Sequence, residues 1–475
     1  MSTQSETYQQ CDDAIFWSFL VLLAVAPFPF GGVHLLTQAF FAVIIFSLML
    51  LWCGLQLTAD GRVAVSAVRL WPEILCCLSL LSWMGLQFLP IPSFLDVHPL
   101  WADTQKILGG RPESGTFTLA RGEVVNSMLR TGMYIGVFWL ALQFGREKSR
   151  ANLLYKTLIN SGLVYAVYGL VIHLSGFQEV LWVDRSSTAT SLSATFINRN
   201  NYATLVSLQL LCSVGLYQTT LLRSFDNPRF GRDKLVHIMQ KSFTEGALQL
   251  TFIVILASAL LLTLSRAGIT CGLIGLAYLV YSRNLARSRK GWLAKLLSLA
   301  LPAALVGIVL FSGEAWQQRV LGTEIENESR FVMYQQAWQV VQESPLTGYG
   351  AGSFPRIFPM FADETTAAWD KVHNDWLETI FDLGWPVGMI WITALVSLAI
   401  RCLAGLLQRM RDRVYSTVGF CACIVVGLHS FFDFSLQIPA VAITFSALLG
   451  VGVSQSWHSK PSTSARKNGL VIQGT

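Results

Sequence analysis

Charge is what this sequence has least of. Only 13% of its 475 residues are Asp, Glu, Lys or Arg, where a soluble domain carries roughly 25%. A chain this long with so few charges cannot keep a wet surface, so most of its exterior must face lipid. The net charge of +6 is small, and no basic block of the nucleic-acid-binding kind appears, which excludes a nucleic-acid partner. Cysteine is sparse: nine thiols, with no CxxC pair. All of them fall in apolar spans or in segments assigned below to the cytoplasm. None stands in a long loop of the opposite side, where an oxidising compartment would allow bridges. Also missing are metal-ligand spacings of His, Cys and carboxylate, and any HExxH, GxSxG or Walker loop, so neither a metal nor a cofactor is expected. Gly348, Gly350 and Gly352 imitate a phosphate loop, but no strand precedes them and no Lys-Ser/Thr follows. No internal repeat is visible. Met1 to Asp13 is polar and slightly acidic and lacks the basic start and cleavage site of a removable signal, so the first span is expected to stay as an anchor.

What is present is apolar length. The chain is 53% hydrophobic, with a mean hydropathy of +0.50. Spans able to cross roughly 30 Å of hydrocarbon as helix fall at about 14–30, 34–56, 70–90, 126–145, 152–173, 202–222, 248–264, 267–282, 292–312, 377–399, 414–432 and 437–455. The expectation is an all-α polytopic membrane protein of about 12 transmembrane helices, a single integral domain over 1–475 with both termini on one side. Lys and Arg concentrate in cytoplasmic loops. Of the 34 basic residues, 22 fall in one set of short connections around 62–69, 146–150, 223–241, 283–295 and 401–413 and in the tail 456–475. That places both termini in the cytoplasm, with the tail expected to be disordered. The stretch 248–282 is a single long span or a hairpin broken at Ser265-Arg266-Ala267-Gly268. A single span would put two basic segments on opposite faces, so the hairpin is expected, with Arg266 at its outer tip.

Three outer loops are then long enough for function: about 91–125, 174–201 and 313–376. In the third, Asn327-Glu328 reads as a helix start, and Phe331, Tyr334, Trp338 and Val341 follow at 3-4-3 spacing until Pro345 ends the run. An amphipathic helix lying along the outer membrane surface is expected there.

Several residues could carry chemistry. Arg266, at the outer end of two apolar helices, defies the charge bias; it either snorkels to lipid phosphates or binds an anionic substrate. Arg330 lies in the first turn of the loop helix, where the macrodipole disfavours a cation. Glu326 and Glu328 neutralise it there, or it helps the helix start to hold a phosphate. His373 sits among polar residues with Asp370, Asp375 and Glu378 nearby to orient it. An imidazole beside two arginines would have its charged form disfavoured, which suits a general base; the plainer alternative is a structural histidine. Asn198 and Asn200 open the sixth span as caps or as cavity groups. Arg199 adds an outer cation, and Asp433 makes an outer turn. Asn198, Arg199, Asn200, Asp375, Glu378 and Asp433 are the candidates for lining a cavity.

Each signal is soft alone; their order is not. T-F-x-N-x-N at 195–200 is followed by S-R-A-G at 265–268, then Ser329-Arg330 before an amphipathic helix. P-L-x-G-x-G-x-G-x-F follows at 345–354, and V-H-N-D-W-L-E with a glycine six residues on closes the series at 372–384. Over about 190–440 the chain resembles the O-antigen ligase and Wzy-type polymerase superfamily, which includes bacterial protein O-oligosaccharyltransferases. The D-F-x-L-x-x-P run at 433–439 resembles the closing segment of exopolysaccharide-type members.

The resemblance implies a membrane glycosyltransferase fold in the bacterial inner membrane, with a periplasmic active site in which loop 313–376 is catalytic. It implies a glycan donor on undecaprenyl diphosphate and a glycan or lipid acceptor, with membrane lipids as surroundings and no metal or cofactor. The family's two essential arginines map onto Arg266 and Arg330 and its essential histidine onto His373. These would clamp the diphosphate and take the acceptor proton, and the sugar would be transferred with inversion. Polymerase and ligase both fit. The rivals are a lipid-linked sugar flippase or transporter, which would show repeats and mid-membrane charges, a protein O-oligosaccharyltransferase, and a scaffold without catalysis.

Overall fold

The computed structural model describes residues 2–58, 63–90, 115–177, 179–184, 191–225, 246–287, 330–363, 369–409 and 412–457, with isolated positions at 101, 106–107, 109 and 366. Their regular structure is almost wholly helical. A helix stands at each place where a span was read except 292–312, which lies outside the described residues, as do 313–329, most of 91–114 and the tail from 458. In chain order these are α1 (Ser2–Val25), α2 (Leu35–Thr58), α3 (Trp71–Phe88), α4 (Arg121–Phe144), α5 (Lys148–Leu174), α6 (Arg199–Phe225), α7 (Ala247–Leu262) and α8 (Arg266–Arg287). Then follow α9 over 330–343, α10 (Asp375–Gln408), α11 (Val414–His429) and α12 (Pro439–Ser454). A two-residue antiparallel pairing, Glu179–Val180 with Val183–Asp184, is the only strand structure among the described residues.

Four helical stretches among the described residues are long and apolar enough to cross a membrane: Leu35–Thr58, Ala67–Phe88, Lys148–Leu174 and Asp375–Gln408. Shorter apolar helices accompany them at 247–262, 266–282, 414–429 and 439–454. Lipid tails are as apolar as leucine, so helices in a bilayer associate through close packing at small residues. The chain supplies these. A Cβ on Gly275 of α8 would lie 2.4 Å from Val425 Cγ2 of α11, and one on Gly450 of α12 would lie 2.5 Å from the Phe138 carbonyl of α4.

The α7–α8 stretch is broken, as the charge pattern requires. Leu264 takes a left-handed backbone, φ 52. Thr263 Oγ1 accepts from Ser265 N at 3.2 Å, and Ser265 Oγ accepts from Gly268 N at 3.2 Å. Ser265 thus caps α8, and Arg266 is its first residue.

The helix expected in the third loop is present, over 330–343. Met333, Ala337, Val340 and Val341 are buried against Phe354, Phe358 and Phe381, while Phe331 is 62% and Trp338 44% exposed. The 3-4-3 stripe therefore divides: Val341 goes inward, Phe331 stays exposed, and Trp338 is half-exposed with its ring edge-on to Trp385, centroids 5.5 Å apart. The inward face is set by small and flexible residues that fit an aromatic cluster, which hydrophobicity alone does not reveal.

Asp375–Gln408 is not one continuous helix. Gly384 has φ 74 and ψ 166, and Pro386 follows. The glycine-rich loop 345–352 fills the break: Tyr349 N donates to Phe381 O, Gly350 N to Asp382 O and Trp385 N to Pro345 O. Cβ atoms on Gly348 and Gly384 would sit 2.4–2.5 Å from the facing backbone. These glycines hold no phosphate; they let two backbones touch. Gln87, fully buried at the end of α3, locks the joint, donating to Thr347 O and Asp382 O at 2.9 Å and accepting from Ala351 N at 3.1 Å.

The two ends of the bundle differ in character. At one, Arg146 donates to Ser454 O and Trp457 O, Arg150 pairs with Asp12 and Asp13, and Arg409 bonds Gln455. The described basic connections therefore meet there. At the other end lie the starts of α6, α8, α10 and α12 and the end of α11.

Candidate active site

The motif at 372–378 builds its own platform. Asn374 caps α10, its Oδ1 accepting from Trp376 N at 3.1 Å and Leu377 N at 3.0 Å. Glu378, one turn on, reaches back to accept from Val372 N at 3.0 Å and Lys371 Nζ at 3.3 Å. Between these anchors His373 is held at φ 55, a left-handed conformation that a non-glycine residue adopts only when its surroundings impose it. Tyr334 of α9 donates from its hydroxyl to His373 O at 2.9 Å. Trp369 and Phe434 contact the ring edge-on, with centroids at 5.2 and 4.8 Å. The imidazole is fixed in position and plane.

Its polar partner is Asp433. His373 Nδ1 lies 3.2 Å from Asp433 Oδ1. A carboxylate offers no hydrogen, so Nδ1–H donates and the lone pair sits on Nε2. Asp433 is fully buried. Burial by itself raises its pKa, but the His373 hydrogen bond, the electrostatic influence of the His429 and His373 rings and the Phe434 N–H together hold it below the ordinary value. Orientation by Asp370, Asp375 or Glu378, expected from proximity in sequence, is not what the fold provides: Glu378 anchors Val372, and Asp375 braces the neighbouring loop. Asp375 Oδ2 accepts from Ser430 Oγ at 3.0 Å and Leu436 N at 3.1 Å, and its Oδ1 from Gln437 Nε2 at 3.3 Å.

Arg330 enters from α9. Its Nη1 donates to Phe432 O at 3.4 Å, in the same turn that carries Asp433. Arg330, Tyr334, His373, His429 and Asp433 therefore share one locality, drawn from three separate parts of the sequence. Arg266 begins α8, whose Gly268 is so close to α6 that a Cβ would lie 2.5 Å from Ala203 Cβ. The next residue of α6, Thr204, hydrogen-bonds His429 Nδ1 at 3.0 Å, so Arg266 stands at the same end of the bundle, beside the helix that carries the site's floor. Asn198 behaves as the cap it resembled, its Oδ1 accepting from Asn200 N at 2.8 Å. Arg199 is the first residue of α6, and Asn200 O accepts from Thr204 Oγ1 at 3.2 Å.

Two residues escaped the sequence reading. His429 is fully buried on the last turn of α11, with Nδ1 3.1 Å from Ser435 Oγ. Asn201, 2% exposed, accepts from Ser435 Oγ at 3.1 Å. The only available signal was the i, i+4 spacing of His429 and Asp433. A cavity of about 360 Å³ adjoins the platform, between α3, α4, α10 and α12, with Asp375 and Glu378 on its wall.

A family model described as O-Antigen ligase matches residues 251–392, from α7 into α10. This stretch contains an O-antigen ligase domain. The domain holds Arg266, Arg330, His373 and the glycine joint, and it ends before the Asp433 turn. The match supports glycan transfer of the O-antigen ligase type in general, with a lipid-linked glycan and an acceptor as partners, and the long apolar helices fit a membrane protein. No curated protein matches the chain. The O-antigen ligase domain depends on elements outside its own limits: α3 supplies Gln87, α6 supplies Asn201 and Thr204, and the turn after α11 supplies Asp433.

Proposed function

We propose that the chain transfers a glycan from undecaprenyl diphosphate to an acceptor hydroxyl at the periplasmic face of the bacterial inner membrane, with inversion at the anomeric carbon. The observation that carries this reading is the His373–Asp433 pair beside Arg330, with His373 and Arg330 inside the stretch that matches the O-antigen ligase family and Asp433 brought to them from outside it.

The chemistry follows from the parts. The acceptor oxygen attacks the anomeric carbon while the bond from that carbon to the diphosphate oxygen breaks, and its electron pair leaves with the lipid diphosphate. The acceptor proton passes to His373 Nε2, the nitrogen left bare by the Asp433 contact. Asp433 balances the charge that the ring gains. Arg266 and Arg330 meet the negative charge growing on the leaving group, a task that bidentate guanidiniums perform without a divalent ion. Back-side attack gives inversion. The basic end of the bundle faces the cytoplasm under the positive-inside rule, which puts the His373 end outside.

A strain whose only copy carries His373→Ala tests the reading. It should accumulate lipid-linked glycan and lose the finished surface glycan. Normal surface glycan in that strain would refute it, because a flippase or scaffold has no use for one imidazole. In a deletion strain, capped single repeats on the surface would identify a polymerase, and free long polymer missing from its anchor a ligase.

A further inference from the structure

Arg130, Tyr134 and Asp382 have no part in the transfer chemistry, yet all three line the cavity between α3, α4, α10 and α12. Along α3 its wall runs from Leu70 to Met84, about 20 Å at 1.5 Å per residue. Apart from its two ends the wall is overwhelmingly apolar, with Cys77, Leu81 and Trp391 among its side chains. One end is sealed by Glu73, whose carboxylate accepts from Arg401 Nε at 2.7 Å and Nη2 at 3.1 Å. Its polar capacity is used up.

The opposite end is different. Asp382 Oδ2 accepts from Gly352 N at 2.6 Å, but its Oδ1 is buried and finds no hydrogen-bond partner among the described residues. The Tyr134 hydroxyl, also buried, finds none either. Arg130, one turn before Tyr134 on α4, donates to Ser127 Oγ at 2.9 Å. Buried polar atoms left unsatisfied cost about 1–3 kcal/mol each, and such groups on a cavity wall call for a ligand that completes them.

We propose that this cavity binds a lipid whose hydrocarbon chain lies along α3 and α10 and whose head is an uncharged, hydroxyl-bearing group. A ligand hydroxyl donates to Asp382 Oδ1 and a second accepts from Tyr134, while the chain fills the apolar length. Hydrogen bonding selects the head: hydroxyls complete both orphaned atoms, whereas the one cation among the cavity's lining residues, Arg130, already donates to Ser127 Oγ. The proposal does not depend on glycan transfer being the activity.

The test uses the full chain in phosphatidylcholine vesicles and a dodecyl glucoside carrying a diazirine in its tail. Photolabelling should concentrate on the peptides of Trp71–Phe88 and Asp375–Gln408. The apparent affinity should fall about fivefold in Tyr134→Phe and likewise in Asp382→Asn, as the loss of one hydrogen bond each implies. Tyr134→Phe removes an atom that bonds nothing among the described residues, so it should unfold at the wild-type temperature or above, and its weaker labelling then reports the ligand alone. Leu81→Trp, which fills the apolar part, should abolish the concentrated labelling. Labelling spread evenly over all helices would overturn the proposal. So would wild-type affinity in Tyr134→Phe and Asp382→Asn, or equal labelling by the same chain with a phosphate head.

Discussion

At the scale of single residues, the site turns on which carboxylate faces His373. Sequence proximity favoured Asp370, Asp375 and Glu378; the fold brings Asp433 from sixty positions away. Nothing local in the sequence encodes that meeting, because it depends on how the turn after α11 is seated. It is seated by Asp375 bonding Leu436 and Ser430. The near residue thus places the far one. Asp433→Asn should lower glycan transfer by about 100-fold, toward the lower end of what a positioned base contributes, with donor binding retained in an equilibrium assay; transfer at the wild-type rate would show that the pair does not orient the base. A second consequence concerns acid. Because the native Asp433 pKa is depressed, its contribution to stability is fully present above the unfolded value, near 3.9, and fades as pH falls through the lower native value. The gap in unfolding temperature between wild type and Asp433→Asn should be constant at neutral and mildly acidic pH and close below about pH 4. A gap that persists into stronger acid would contradict the assignment.

At the scale of elements, the helices were legible because apolar length is a direct requirement of the bilayer, and the break before α8 was legible because the charge rule demanded it. The roles of the glycines were not. A phosphate loop and a backbone joint use the same residue for the same reason, close approach, and only the opposing partner tells them apart. Here the partner is the break at Gly384. Gly384→Ala forces a side chain into φ 74 and against the Leu346 carbonyl, 2.4 Å from the new Cβ. The strained backbone alone costs about 1–3 kcal/mol, so thermal unfolding of the purified chain should drop by several degrees. Gly85→Ala, whose Cβ would meet nothing within 4 Å, should be neutral or stabilising by up to about 1 kcal/mol. Equal unfolding temperatures for the two variants would refute the joint. Helix α9 shows the limit of periodicity: its spacing was helical, but the inward face is chosen by fit to Phe354, Phe358 and Phe381.

At the scale of the whole molecule, the account sets a basic end against a chemical end. Arg146, Arg150 and Arg409 meet the end of α12 and the start of α1, whereas His373, Arg330 and the starts of α6 and α8 gather opposite. Topology on this view predicts labelling. In sealed spheroplasts a membrane-impermeant thiol reagent should modify Trp182→Cys, on the exposed hairpin of the chemical end, and leave the exposed native Cys11 untouched until the membrane is opened. The reverse pattern would invert the orientation.

The most direct test of the central claim is the single-turnover rate of glycan transfer in proteoliposomes, from a defined lipid-diphosphate donor, measured for wild type and His373→Ala at equal donor occupancy. The account predicts a fall of about 10²–10⁴-fold for the variant, the range that a positioned general base supplies, with donor affinity unchanged because the proposal assigns the diphosphate to Arg266 and Arg330. Transfer by His373→Ala at the wild-type rate would contradict it.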